Sequence, residues 1–338
     1  MTNYLIFLPI LVSFFIVLFV IPKWIDKTKR MKLEWQDMNK LSKNKVSGSG
    51  GIIAVLGFVI GVLVYVGYIT FILETRSNLV EIFALLTVCL FLGGVGFIDD
   101  LLGWQKGGLR KRHRVLLVLI ASMPLIAINV GKPNVFLPYL GDLDLHLIYP
   151  LVLVPIGLVG ATVTFNFLAG FNGLEAGQGI ILLSALGFVS YFTGAPWLSV
   201  ICLCAVSSLI AFLIYNKFPA KIFPGDSLTY CIGGLIAIIS IMGNFEKIAI
   251  FFFIPYIIET VLKSRGGLKK YSFGKPNKQG SLDLLYDKIY SLNHLSILIL
   301  KKIGIRSTEQ NATILIWIFQ IIIVILGILA FKDGIFLR

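Results

Sequence analysis

The strongest constraint on this chain is its set of uninterrupted apolar runs, most near the length of about 20 residues that a helix needs to cross the hydrocarbon core of a bilayer. Ten such runs can be read along the 338 residues, at 4–22, 51–73, 79–98, 115–130, 147–165, 179–193, 197–215, 228–242, 248–262 and 312–331. The shorter ones at 179–193 and 228–242 would equally suit tilted or re-entrant segments. Backbone polar groups cannot stay unpaired in lipid, so a span is either a helix or part of a closed barrel. Continuous rather than alternating apolar residues favour helices. With 57% hydrophobic and 14% charged residues, against roughly a quarter charged in soluble domains, the expected fold is all-α. It is a polytopic membrane protein of about ten transmembrane helices, a single membrane domain over 1–338 with a long loop at 263–311 before the last span.

Basic residues orient these spans. The connections 23–50, 99–114, 166–178, 216–227 and 263–311 hold 25 of the 30 Lys and Arg, leaving Arg76, Lys132, Lys247, Lys332 and Arg338 for the other side. Positive charge marks the cytosolic side, so all five connections are expected there. Topology and contact with anionic headgroups account for the net charge of +13, and no nucleic-acid partner is called for. Met1 to Tyr4 lack a basic n-region while Lys23 follows the first span, which reads as a signal-anchor with its N-terminus outside. Cys89, Cys202, Cys204 and Cys231 all fall in apolar runs without paired ligand spacing, as buried packing residues do.

Polar residues crowd the cytosolic ends of the spans, where ionisable groups point to function. Gly96-Phe97-Ile98-Asp99-Asp100 ends the third run on adjacent carboxylates, which repel unless a cation or a helix N-terminus compensates them. Arg110, Lys111, Arg112 and Arg114 follow. Such a pair beside a basic cluster suits phosphate and Mg²⁺, although a solvated turn would look the same. The stretch Asn166-Phe-Leu-Ala-Gly-Phe-Asn172-Gly-Leu-Glu175-Ala-Gly-Gln178 carries amides and glycines but no basic residue. Amides both donate and accept, as recognition of a base or sugar requires. Phe223-Pro-Gly-Asp226 precedes the eighth run, and Asp226 taken alone reads as a helix N-cap. Loop 23–50 holds Gln36-Asp37-Met38-Asn39-Lys40 and the turn Ser47-Gly48-Ser-Gly-Gly51. Loop 263–311 groups Lys269, Lys270, Lys275 and Lys278, a pattern that a headgroup-binding patch shares, and its part 282–305 is amphipathic enough to lie on a membrane.

In this order the motifs resemble the polyprenyl-phosphate sugar-1-phosphate transferases, of the glycosyltransferase 4 type. The likeness runs from about Gln36 to Tyr256 and is greatest to the branch that makes dolichyl-diphosphate N-acetylglucosamine for N-glycosylation, especially over Asn166 to Gln178. The resemblance implies transfer of N-acetylglucosamine 1-phosphate from UDP-N-acetylglucosamine to a polyprenyl (dolichyl) phosphate, with release of UMP. It implies that Asn166 and Asp226 hold a catalytic Mg²⁺, with Mn²⁺ as a substitute. Gln36, Asp37, Met38, Asn39, Lys40, Gly48, Asn172, Glu175, Phe223 and Lys275 would bind substrate. Asp99, Asp100 and Arg114 would act on the reacting phosphates, Arg114 lying beyond extra residues from Gly103 to Lys111. Two departures stand out. Ser47-Gly48 replaces a Pro-Glu of relatives, and Lys269-Lys-Tyr-Ser-Phe-Gly-Lys275 replaces a His/Arg-rich sugar-binding motif. The shorter last loop looks more archaeal than eukaryotic, which implies the cell membrane rather than the endoplasmic reticulum, with the site facing the cytosol.

Two rivals remain on the sequence. One is a sibling using another UDP-sugar, such as UDP-N-acetylmuramoyl-pentapeptide, which the Asn-Gly-Leu-Glu loop disfavours. The other is a secondary transporter, which would carry its polar residues at mid-membrane and in repeated halves. Oligomeric state stays open, a homodimer included.

Overall fold

The computed structural model describes residues 4–42, 45–137 and 141–336. Met1, Thr2, Asn3, Lys43 and Arg338, on which the anchor and charge readings drew, lie outside the described residues. Helix accounts for 69% of the chain and strand for 4%, so the all-α expectation holds. In chain order the elements are α1 (Leu8–Arg30), the hairpin β1 (Glu34–Gln36) and β2 (Lys45–Ser47), α2 (Gly51–Phe71), α3 (Leu79–Lys106), α4 (Lys111–Ala121) and α5 (Met123–Ala127). The hairpin β3 (Asn134–Leu137) and β4 (Gly141–Asp144) leads into α6 (Val154–Phe165), α7 (Leu174–Phe192), α8 (Pro196–Asn216), α9 (Gly225–Met242), α10 (Glu246–Phe252) and α11 (Ile254–Ser264). The pair β5 (Lys275–Pro276) and β6 (Leu282–Asp283), α12 (Leu292–Lys302), α13 (Glu309–Ala330) and α14 (Lys332–Phe336) complete the chain. All three strand pairs are antiparallel.

Among the described residues, seven helices are each long and apolar enough to cross a membrane, and three of the ten apolar runs form no single helix of that length. The seven are α1 with its leading turn, α2, α3, α7, α8, α9 and α13. The runs at 179–193 and 228–242 are full helices, and the interrupted ones lie elsewhere. Run 115–130 breaks between α4 and α5, beside Pro124, and run 248–262 breaks at Phe253, before Pro255. Run 147–165 is a shorter helix, Tyr149–Phe165, whose first turn is π-helical around Pro150. In each case proline removes an N–H donor and crowds the preceding turn, which an apolar count does not register. Such broken helices are tolerated where neighbouring helices satisfy the freed backbone.

Bundle order follows from contact. α9 is the central element, with every residue from 227 to 241 buried, and it packs on α3, α6 and α2. α7 packs on α8, and α1 on α2 and α8. By contrast α1 and α13 expose large apolar side chains such as Leu11, Phe15, Phe19, Ile318, Ile322 and Leu329, a surface that suits lipid rather than water. All four cysteines are buried and unbridged. The amphipathic part of the last loop forms α12, whose buried face, with Leu292, Ile297 and Leu300, is used against α11 and α13.

Small residues let two of these backbones touch, as between helices in membranes. A Cβ on Gly96 of α3 would lie 2.4 Å from the carbonyl oxygen of Asp226 at the start of α9. Gly96→Ala is therefore expected to push α3 from α9 and to destabilise the fold by about 1–3 kcal/mol. A thermal-unfolding series on the detergent-solubilised protein checks this; an unchanged midpoint would mean that the two helices have room to spare.

Candidate active site

The five connections assigned to one side by their charge converge on one end of α9 and enclose a cavity of about 550 Å³. Each contributes lining residues, among them Asp37, Asp99, Asn172, Asp226 and Phe273.

At its centre are the two acids of α3. They do not end that helix, which continues to Lys106 and stops at Gly107 and Gly108, with φ of +82° and +80°. This glycine turn folds the extra residues back, so that Arg114 at the start of α4 returns to Asp99. Arg114 Nε lies 2.6 Å from Asp99 Oδ2, and Leu109 N–H donates to Asp99 Oδ1 at 2.7 Å. The same guanidinium places Nη1 3.5 Å from Asp226 Oδ2. Asp100 has a different task. Its Oδ1 accepts from the Asp226 N–H at 2.7 Å, and its Oδ2 faces the Ser227 N–H at 3.5 Å. These N–H groups open α9 and have no partner within the helix.

Asp226 is therefore not the N-cap that its position suggests. Pro224 occupies the cap position, with no side-chain cap bond, and Asp100 serves α9 from across the bundle. The Asp226 carboxylate is left for the cavity, where Asn166 Nδ2 donates to its Oδ1 at 3.1 Å. Gly225 makes this possible: at φ +71°, a Cβ there would sit 2.2 Å from Asp100 Oδ2.

A second polar cluster builds the wall formed by the first, third and fifth connections. Asp37 Oδ2 accepts from Asn172 Nδ2 at 3.2 Å and pairs with Lys40 Nζ at 2.6 Å. Asn39 Nδ2 donates to the Gly170 carbonyl at 2.6 Å, and its Oδ1 accepts from the Gly274 N–H at 3.0 Å. Glu175 Oε1 accepts from the Gly170 N–H at 3.0 Å. Gly48 underlies Trp35 so closely that a Cβ would lie 1.5 Å from the ring, so the position has no room for a side chain here.

Of the residues given a catalytic, metal or substrate role from the sequence, all line this cavity except Lys40 and Lys275. Lys40 lies behind Asp37, with its Nζ 5.1 Å from the centre of the Phe218 ring. Lys275 is exposed on β5, opposite Asp283, and the segment before it, Phe273 and Gly274, reaches the site instead. Sequence reading missed this approach, together with the residues that secure it. His294 Nε2 lies 3.1 Å from the Phe273 carbonyl, Asn293 Nδ2 donates to the Ala169 carbonyl at 3.0 Å, and Glu309 accepts from the Asn172 N–H at 2.7 Å. Burial lowers the His294 pKa; Nδ1 accepts from the Tyr290 N–H at 3.4 Å, which leaves Nε2–H to donate to that carbonyl. One signal for Glu309 was present: an acid directly after Thr308, a helix-capping residue, at the start of an apolar run.

The donor set bears on metal binding. No cluster of three His, Cys, Asp or Glu suited to a metal occurs among the described residues. A carboxylate and a carboxamide side by side, Asp226 and Asn166, fit a Mg²⁺ held by one or two oxygen ligands and completed by substrate phosphates. A larger cavity, about 660 Å³, opens near the other end of α9, beside Ile236, Phe245 and Phe253, where the Tyr149 hydroxyl donates to Glu246. Its walls are mainly apolar and carry one carboxylate, Glu246, against the five of the smaller cavity, Asp37, Asp99, Asp100, Glu175 and Asp226; convergence of ionisable groups, not volume, singles out the smaller one as the candidate site.

Residues 82–244 match the family model described as glycosyl transferase family 4. A protein of Saccharolobus solfataricus is 37% identical over 328 residues, covering 95% of this chain and 96% of its own length. One of Sulfolobus acidocaldarius is 34% identical over 332 residues, covering 96% and 95%. Both carry the provisional name UDP-N-acetylglucosamine–dolichyl-phosphate N-acetylglucosaminephosphotransferase. A Dictyostelium discoideum protein bears that name without the qualifier and is 29% identical over 277 residues, 71% of this chain and 66% of its own. With identity sustained along nearly the full length of the first two relatives, this chain belongs to glycosyl transferase family 4.

Proposed function

We propose that this membrane protein transfers N-acetylglucosamine 1-phosphate from UDP-N-acetylglucosamine to a polyprenyl phosphate of the dolichyl type, releasing UMP on the cytosolic side. The observation that carries the reading is the group of Asp99, Arg114, Asp226 and Asn166 gathered at the start of α9. The names of the relatives supply the donor and acceptor.

The chemistry needs an oxygen of the lipid phosphate to attack the sugar-bearing phosphorus of the donor, while the bond to UMP breaks and its electrons leave with UMP. Such phosphoryl transfer depends on positioning and charge neutralisation more than on covalent help. The lipid phosphate, with a second pKa near about 6, is largely dianionic at neutral pH, so it can attack without a protein base. Both candidate bases are engaged: Asp99 by Arg114 and the Leu109 N–H, Asp100 by the start of α9. Their work is to hold Arg114 and α9 in place. Arg114, shared between Asp99 and Asp226, presents its charge to the diphosphate, where a guanidinium binds phosphate oxygens in a fixed fork. Mg²⁺ bound by Asp226 and Asn166 would neutralise charge on the diphosphate oxygens. Asn172 and Asp37 offer both donors and acceptors to the nucleoside. The prenyl chain would lie among the spans while its headgroup meets the water-soluble donor.

Three expectations test this reading. Purified protein with polyprenyl phosphate and a panel of UDP-sugars should release UMP with UDP-N-acetylglucosamine; release with another UDP-sugar alone would overturn the donor. Chelation should stop that release and added Mg²⁺ restore it, whereas turnover that survives a chelator would remove the metal from the scheme. Asp226→Ala should lower kcat by about 10²-fold or more, the loss typical of removing one charge-stabilising group. Unaltered kcat in folded Asp226→Ala would end its assignment as a ligand.

A further inference from the structure

We infer that Glu309 is a positioning residue for the UDP-sugar, setting the donor pocket through Asn172 and Asn39 without itself touching substrate. The inference rests on the transfer reading above and concerns how its donor is held.

Glu309 lies in the first turn of α13, is 3% exposed, and is not among the residues lining the cavity. An acid at this position of a helix ordinarily complements the helix dipole from a solvated surface. Here the need of α13 for a cap is met by Thr308, whose side chain accepts from the Asn311 N–H at 3.2 Å, and the Glu309 carboxylate serves other segments. Its Oε1 accepts from the Asn172 N–H at 2.7 Å and faces Asn39 Nδ2 at 3.4 Å. Asn39 in turn reaches the Gly170 carbonyl and the Gly274 N–H, and its own N–H donates to Asp37 Oδ1 at 3.1 Å. Glu309 Oε1 thus joins the first and third connections to the last long helix, and Asn39 extends the link to Gly274 in the fifth.

The consequence falls on Asn172. Its backbone is held by Glu309 while its side chain meets Asp37, and Gly173 follows at φ +81°, so the peptide between them has few ways to turn. Burying a carboxylate is costly unless it is well bonded. A helix that needed only to pack would keep an apolar residue there, and α13 already has an independent tie to α7 through Trp317 Nε1 and the Leu174 carbonyl at 3.3 Å. What Glu309 adds is registration: the acceptor oxygen stands at a fixed place relative to the amides of the pocket.

Steady-state UMP release and calorimetric titration with UDP, on wild type and on Glu309→Ala, Glu309→Gln and Glu309→Asp, test the inference. Glu309→Ala should raise the donor KM and the UDP Kd about tenfold, the order expected for losing a hydrogen bond to a charged group. The KM of the lipid phosphate should stay within about twofold, since the Asp226 and Arg114 cluster is not touched. Glu309→Gln, which keeps an acceptor oxygen at the same reach, should recover much of the loss. Glu309→Asp, which keeps the charge but draws it back, should not. Trp317→Phe, which cuts the tie of α13 to α7, should lower the unfolding midpoint and leave the donor KM unaltered. Wild-type donor KM and UDP affinity in Glu309→Ala would overturn the inference, as would recovery by Asp in preference to Gln. Should Glu309→Ala fail to fold, the Gln and Asp pair decides. If wild type released no UMP with any donor, the transfer reading would fall first; UDP affinity that is equal across all variants, or absent, would then overturn the role of Glu309 as well.

Discussion

The carboxylate of Asp100 accepting the first free N–H groups of α9 is the interaction on which the site depends. It requires α3 and α9 to meet backbone to backbone, which Gly96 and Gly225 permit. Once Asp100 has taken those groups, Asp226 has no local partner to satisfy and projects into the cavity with Asn166 and Arg114. The adjacent acid, Asp99, faces the other way and holds Arg114. Two neighbouring carboxylates, which would repel in isolation, are each compensated by a different positive partner: a helix N-terminus for one and a guanidinium for the other.

Around this centre the chain solves a problem set by its solvent. A bundle facing lipid cannot leave buried polar groups to water, so the amides and acids of the site bond largely to one another, with Glu309 Oε2 left without a hydrogen bond among the described residues. Asp37, Asn39, Asn172, Glu175 and Glu309 form such a set, most of their bonds running between segments far apart in the chain. Bonds of this kind restrict the segments they join. The loops at this end are accordingly held by a network that includes Asp37 and Asn172, the residues proposed to meet the donor.

The membrane character and the convergence of the polar connections were legible in the residues, for physical reasons. Long apolar runs have few alternatives to helices in lipid, and the bias of Lys and Arg to one side placed five connections together, which the cavity matches. Helix continuity was less legible. Prolines at 124, 150 and 255 interrupt runs whose average hydropathy is unaffected. Asp226 reads as a cap because the rule is local, whereas the donor groups it would have served are taken by a residue far earlier in the chain. Lys275 drew notice by its charge, yet the pairing of β5 with β6 leaves it exposed and brings Phe273 and Gly274 inward. Glu309 drew none, since a single acid at a span boundary resembles an ordinary helix start.

What the sequence determined by itself was a helical membrane protein with acids, amides and basic residues gathered on one side, together with motifs whose order marks the family. These properties follow from composition and short-range spacing, which the bilayer reads directly. Only the tertiary structure decided which acid caps α9, which basic residue closes on Asp99, and which carboxylate secures Asn172. Those choices depend on contacts between segments as far apart as Asp100 and Asp226 or Asn172 and Glu309. Hydrogen bonds of that kind are set by where helices cross, and no local pattern encodes a crossing.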